Sequence, residues 1–278
     1  MLEISEFEDV TRIKMSREAE GNPVYWVAAY LVDGLLIDTG CAHTAEEFLS
    51  CLRGRYIQTV VNTHWHEDHI GANRLIQERL GVKIYAHRDS VPLIDRTPVL
   101  RPYQEYVWGY PEPSRVDELS YRVDTGRFHF EVLETAGHCR GHIALLEPTM
   151  GWCFSGDIFI TARPKVIRAD EELGGLVATM KRLAGMPTER LVLFTSMGEI
   201  IPEGREALRS CVKYLEGMAA KALELERAGL SMQEMTQRLL GRESSLGELT
   251  GGHFSSLNLV RGLLAMAAAG RESGNEEE

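Results

Sequence analysis

The sequence predicts a mixed α+β fold of layered sheets with helices outside, on three observations. β-branched or aromatic runs recur through its N-terminal part, helical patterns separate some of them, and the chain turns wholly helical after Pro202. Strands are expected at residues 24–31, 35–38, 57–62, 83–87, 128–133, 143–147, 152–155 and 191–195, each ending at Gly or a polar turn. Helices are expected at 44–52 and 72–80.

Residues 203–229 carry Leu208, Cys211, Val212, Leu215, Met218 and Ala222 at helical spacing, and predict one long helix. Further helices are expected at 231–240, where Ser231 and Glu234 have the form of a capping box, and at 253–269. The polar stretch 271–278 ends in three Glu and is expected to be a disordered tail. These shifts divide the chain into a mixed domain at 1–202, a helical region at 203–270 and a tail at 271–278. Residues 92–116 combine Pro98, Pro102, Pro111 and Pro113 with Tyr103, Tyr106, Trp108 and Tyr110. Such a Pro-broken aromatic stretch suits a wall or lid over a site, or simple packing.

At 278 residues, 44% hydrophobic and 26% charged, the chain has the composition of an ordinary globular protein with a substantial core. Its net charge of −11 disfavours a continuous phosphate-binding surface, so no nucleic-acid partner is expected. Cys41, Cys51, Cys139, Cys153 and Cys211 are odd in number and form no C-x-x-C pair, which points to a reducing compartment rather than a disulfide framework. The first residues lack the basic and apolar regions of a signal peptide, and no run of about 18 apolar residues suggests a membrane span. A cytoplasmic protein without a membrane partner is the expectation.

The chemistry concentrates in His64-Trp65-His66-Glu67-Asp68-His69, directly after the apolar run Ile57-Gln58-Thr59-Val60-Val61-Asn62. Three imidazoles and the Asp68 carboxylate at the end of a buried strand are the donor types that hold a divalent cation. Open α/β layers place their sites at such strand ends.

This H-x-H-x-D-H run resembles the signature of the metallo-β-lactamase fold superfamily. Three further segments carry the resemblance in order: Leu35-Leu36-Ile37-Asp38-Thr39-Gly40, Thr135-Ala136-Gly137-His138 and Phe154-Ser155-Gly156-Asp157. It implies an αβ/βα four-layer sandwich with a helical C-terminal appendage, matched from about Ala28 to Gly198. It also implies the metal ligands His64, His66 and His138 for one ion, Asp68 and His69 for a second, and Asp157 bridging, with Asp38 supporting the loop. The implied cofactor is zinc, one or two ions, with iron or manganese as alternatives.

One ligand of that pattern is absent. In the segment that aligns with the family's last histidine turn, Met197 occupies the His place, and a thioether is a poor ligand for a cation held by carboxylates. The second ion is therefore expected to be held less firmly. Among the remaining histidines, His142 is expected in the core or behind the ligands, and His253 as an exposed residue opening a helix. His43, His87 and His129 read as surface or packing residues, and Cys139 as a small filler beside a ligand.

The resemblance implies a metal-dependent hydrolase that uses activated water on an ester, thioester, lactone or amide of a small molecule, with Asp68 orienting or deprotonating that water. An alternative is a mononuclear iron oxygenase acting on a sulfur substrate, and a second is a non-enzymatic metal-binding regulatory protein. The helical C-terminal region is a candidate for shaping the substrate entrance or for a homo-oligomer contact.

Overall fold

The computed structural model describes residues 1–274. The chain divides into two compact units. The first comprises Met1–Glu134, Arg140–Asp157 and Pro187–Glu203, and the second comprises Thr135–Cys139, Ile158–Met186 and the residues from Gly204 onward.

In the first unit the chain enters as an antiparallel pair, β1 (Leu2–Phe7) and β2 (Val10–Met15), then a short hairpin of β3 (Glu18–Ala19) and β4 (Asn22–Pro23). β5 (Val27–Val32), β6 (Leu35–Ile37), β7 (Thr59–Val61), β8 (Lys83–Ala86) and β9 (Asp117–Glu118) follow, and give a seven-stranded sheet in the order β1-β2-β5-β6-β7-β8-β9. β10 (Arg122–Asp124), β11 (His129–Glu134), β12 (Ile143–Glu147) and β13 (Trp152–Gly156) begin a second sheet. A small β14 (Ile167–Arg168) lies outside it, and β15 (Val192–Thr195) and β16 (Ile200–Ile201) complete its six strands.

The two sheets face each other across one core. Val10, Tyr30, Val32, Leu35, Ile37 and Val61 of the first meet Phe130, Ile143, Leu145, Trp152, Phe154 and Phe194 of the second. Phe154 and Phe194 stack with centroids 4.6 Å apart. Each large apolar side chain fully buried here contributes about 1.5–3 kcal/mol. The other face of the first sheet buries Ile13, Leu36, Val60 and Ile84 beneath α1 (Ala45–Cys51) and α2 (Asn73–Leu80), through Phe48, Leu49 and Ile76. α3 (Val91–Ile94) and α4 (Pro102–Val107) break up the Pro-rich stretch.

Strand direction is what positions the site. β6, β7 and β8 run parallel, with Ile37 paired to Val61, so Asp38 and Asn62 leave the sheet at adjacent strand ends. In the second sheet β13 runs parallel to β15, and Gly156 pairs with Thr195 across an irregular step after Phe154. Asp157 and Met197 therefore follow neighbouring strand ends.

The second unit is built on α5 (Leu173–Ala184), α6 (Gly204–Arg227), α7 (Met232–Leu240) and α8 (Ser245–Leu249), then β17 (Phe254–Ser255) and α9 (Ser256–Gly274). α5 buries Leu176, Val177, Met180 and Leu183, and packs against α6 and α9. That amphipathic face is why 158–186 joins the C-terminal helices, making this unit larger than the expected region at 203–270. The Ser231 capping box is formed, with Glu234 N–H donating to Ser231 Oγ. α9 continues through Gly274, four residues into the stretch expected to be a tail, while 275–278 lie outside the described residues. Among the described residues no helix is long and apolar enough to cross a membrane.

Candidate metal centre

The loop carrying His64, His66, Asp68 and His69 leaves β7 and is held by buried polar groups rather than by sheet pairing. Asp38, at φ 60°, sits just beyond β6 with its side chain turned to the loop. Its Oδ1 accepts from Thr63 N–H at 2.7 Å, and its Oδ2 accepts from Thr63 Oγ1 at 2.8 Å. His69 Nδ1 lies 2.7 Å from the same Oδ2. Because a carboxylate only accepts, Nδ1 carries a proton, and the Nε2 edge of the ring faces Asp68 and Asp157.

Behind the loop, Asn73 Nδ2 donates to Asn62 Oδ1 at 2.8 Å, Thr39 Oγ1 donates to Asn73 Oδ1 at 2.8 Å, and Thr39 N–H donates to His69 O at 2.8 Å. Gly71 approaches so closely that a Cβ there would run into the backbone of Cys41 and Ala42. Glu67, also buried, accepts from Gln104 Nε2 of α4 at 2.6 Å, which ties the aromatic segment to the loop.

His64, His66 and His69 are each at most 1% exposed. The side-chain ligand atoms of His64, His69 and Asp157 all lie within 4.8 Å of one another. His69 Nε2 is 3.3 Å from Asp157 Oδ1 and 3.8 Å from Asp68 Oδ2. Gly156, at φ 50°, makes the turn before Asp157, where a Cβ would press on the His142 ring. His142 Nε2 accepts from Asp157 N–H at 3.1 Å, and its ring lies 4.8 Å from that of His64. His142 is thus a buried support of the Asp157 backbone.

Electrostatics follow from this packing. Burial works against charge on His69, yet the carboxylates of Asp38, Asp68 and Asp157 outweigh it and hold its pKa well above the ordinary value. Burial pushes the Asp68 carboxyl up to about 7, opposed by His69 and reinforced by Glu67 and Asp157. The same carboxylates favour positive charge at Nε2, and a divalent cation bound there would supply it in place of a proton. The donor set therefore fits a metal ion.

His138 belongs to the second unit, where its Nδ1 lies 2.7 Å from Glu171 Oε1. Met197 sits in the turn after β15, and its Sδ receives the Tyr25 hydroxyl at 3.5 Å. His253 differs from expectation: it is 6% exposed, within 3.5 Å of Asp170, because the backbone of 253–255 pairs with β14 instead of starting a free helix. His43 Nε2 lies 2.9 Å from Glu105 O, while His129 is exposed and pairs with Asp124. Glu171, Gln104 and Asn73 carried no signal in the sequence, since each acts through a partner distant in the chain.

The family model for the metallo-beta-lactamase superfamily matches residues 26–195. The chain belongs to this superfamily. It is similar to a hydroxyacylglutathione hydrolase of Erythrobacter litoralis, 36% identical over 107 residues, which are 38% of this chain and 35% of that one. A hydroxyacylglutathione hydrolase of Hyphomonas neptunium is 27% identical over 210 residues, 71% of this chain and 73% of its own. The chain thus spans only about a third of the length of the first of these relatives. Among solved structures, a metallo-beta-lactamase family protein from Thermus thermophilus shares the fold at TM-score 0.64 and 18% identity, covering 95% of this chain and 94% of that one. A beta-lactamase domain protein from Burkholderia ambifaria does so at TM-score 0.67 and 17% identity, covering 96% and 85%.

Proposed function

We propose that the protein is a metal-dependent hydrolase of a small-molecule thioester, acting through His64, His66, His138, Asp68, His69 and Asp157 as metal ligands. The observation that carries this reading is the convergence of His64, His69 and Asp157, with the Nε2 edge of His69 fixed toward two carboxylates by its bond to Asp38. The hydroxyacylglutathione hydrolases among its relatives favour a thioester over an ester, lactone or amide.

When bound, zinc or a similar divalent cation supplies Lewis acidity, acidifying water to a pKa of about 7 and polarising a carbonyl. The chain's own residues do the rest. Asp38 and Thr63 fix the loop, so the ligands need no rearrangement. The Asp68 carboxylate orients the attacking water and accepts its proton, and the buried walls around His64 and His66 keep bulk solvent from the reacting carbonyl.

The test is turnover of a panel containing a hydroxyacylglutathione, simple thioesters, esters and lactones by zinc-loaded protein. Thioester cleavage is expected, and His66→Ala should reduce it at least about 100-fold by removing a ligand. Equal inertness of both proteins toward the whole panel would sink the hydrolase reading.

A second reading is favoured by one observation: His64, His69 and Asp157 are two imidazoles and one carboxylate, the donor set that suits iron in mononuclear oxygenases. One iron per chain and oxygen consumption with a sulfur substrate would select it. Zinc with thioester cleavage selects the hydrolase.

A further inference from the structure

We propose that Glu171 is a positioning residue for His138, fixing its imidazole with the proton on Nδ1 so that Nε2 is the nitrogen offered to the metal. The inference rests on the proposed function in taking His138 as a ligand. It assigns a new role to the segment before α5.

The loop carrying His138 is clamped to that segment. Glu172 N–H donates to Gly137 O at 2.7 Å, and Thr179 Oγ1 donates to Ala136 O at 2.9 Å. Gly137 adopts φ 115°, and a Cβ there would collide with the backbone of Gly175 and Leu176. These contacts fix the backbone of His138, and the remaining freedom is the rotation and tautomer of the ring. Glu171 Oε1, 2.7 Å from Nδ1, restricts both.

Glu171 is itself held. Its Oε2 accepts from Arg168 N–H at 2.8 Å, and that donor sits in β14, paired to β17. The Arg168 guanidinium donates to both oxygens of Asp170 at 3.0 and 3.1 Å, and His253 Nε2 is 3.5 Å from Asp170. Ala169 N–H donates to His253 O at 2.8 Å. The orientation of one ligand is thus set by residues 253–255, far downstream in the chain.

The carboxylate is required because both neighbours are donors. In Glu171→Gln, the fixed Arg168 N–H takes the single amide oxygen, and the NH2 group faces His138 Nδ1. The ring satisfies that arrangement only by moving its proton to Nε2, the atom a metal needs bare. An isosteric change therefore inverts the tautomer without removing a side chain.

The experiment uses the full chain. Nitrogen-15 multiple-bond NMR of metal-stripped protein, with His138 assigned by its loss in His138→Ala, reads the tautomer, and chelator competition reads zinc affinity. Wild type is expected to carry the proton on Nδ1 and Glu171→Gln on Nε2, with zinc bound about 10–100-fold more weakly in the variant. Glu171→Ala is expected to weaken zinc over the same range, with circular dichroism confirming that each variant is folded. An unchanged tautomer or unchanged zinc affinity in Glu171→Gln overturns the proposal. If His138→Ala loses zinc while the Glu171 variants do not, only the positioning role is refuted. If His138→Ala binds zinc as wild type does, the ligand assignment falls, and the proposal with it.

Discussion

His69 and His138 are held by the same device in two different units. Each places Nδ1 2.7 Å from a carboxylate, Asp38 in the first unit and Glu171 in the second. The surroundings differ. Asp38 is buried and receives Thr63 twice as well as His69, so it joins the ends of two parallel strands and is part of the fold. Glu171 receives Arg168 N–H besides His138, and its side chain is 11% exposed. One carboxylate organises backbone and ligand together, whereas the other mainly aims a ring. The two should therefore respond differently to removal.

The largest effect is expected at Asp38. Asp38→Ala removes the acceptor of Thr63 N–H and His69 Nδ1, while Thr63 Oγ1 keeps His64 Nδ1 within 3.1 Å. At about 1–3 kcal/mol for each of the two groups stranded, the loss should reach about 2 kcal/mol or more and zinc binding should fall with it. Urea unfolding monitored by circular dichroism checks the first part. A loss below about 1 kcal/mol would show that Asp38, like Glu171, only aims a ring.

An intermediate effect is expected at Met197. We propose that Met197, whose sulfur receives the Tyr25 hydroxyl, stands in the place of a missing imidazole ligand, so that Met197→His would supply a borderline nitrogen donor. Zinc stoichiometry or affinity at the second ion should rise on titration monitored by calorimetry. No change would refute the account that this position weakens the second ion.

The smallest effect belongs to Asp170. Burial acts to raise its pKa, but His253 and Arg168 together override it and hold the carboxyl well below the usual carboxylate range. A depressed folded pKa means stability that is present above the ordinary Asp value of about 3.9 and is lost as pH falls toward the lower folded value. The side chain is 55% exposed, so solvent screening limits the contribution to roughly 0.5 kcal/mol. Asp170→Asn should be less stable than wild type by that amount at pH 7, and the two should converge below about pH 4. A constant gap down to pH 2 would contradict the ionic origin.

The same contrast explains what was legible in the sequence. Asp38 lies one residue past a strand, within a segment whose pattern is visible locally, and the His64 to His69 run announces itself by composition. The strands from 24 to 38 and the long helix after Pro202 were readable from periodicity. Glu171 was not, because it reaches His138 across 33 positions with only a two-residue strand and its neighbours to hold it. α5 was hidden by Gly174 and Gly175, which lower helix propensity, although the Glu172 carboxylate caps that end by accepting from both their N–H groups. The β1–β2 pair is hard to read because half of β1, Ile4 included, is exposed. His253 looked exposed for a related reason, since only the tertiary pairing of 253–255 with β14 buries it.

The central claim is that these side chains converge on a metal ion. Diffraction from crystals soaked in zinc, recorded on both sides of the zinc absorption edge, tests it most directly. An anomalous peak about 2.0–2.2 Å from His69 Nε2 and Asp157 Oδ1 is the expected result. Peaks confined to surface residues, with none between those two atoms, would contradict the account.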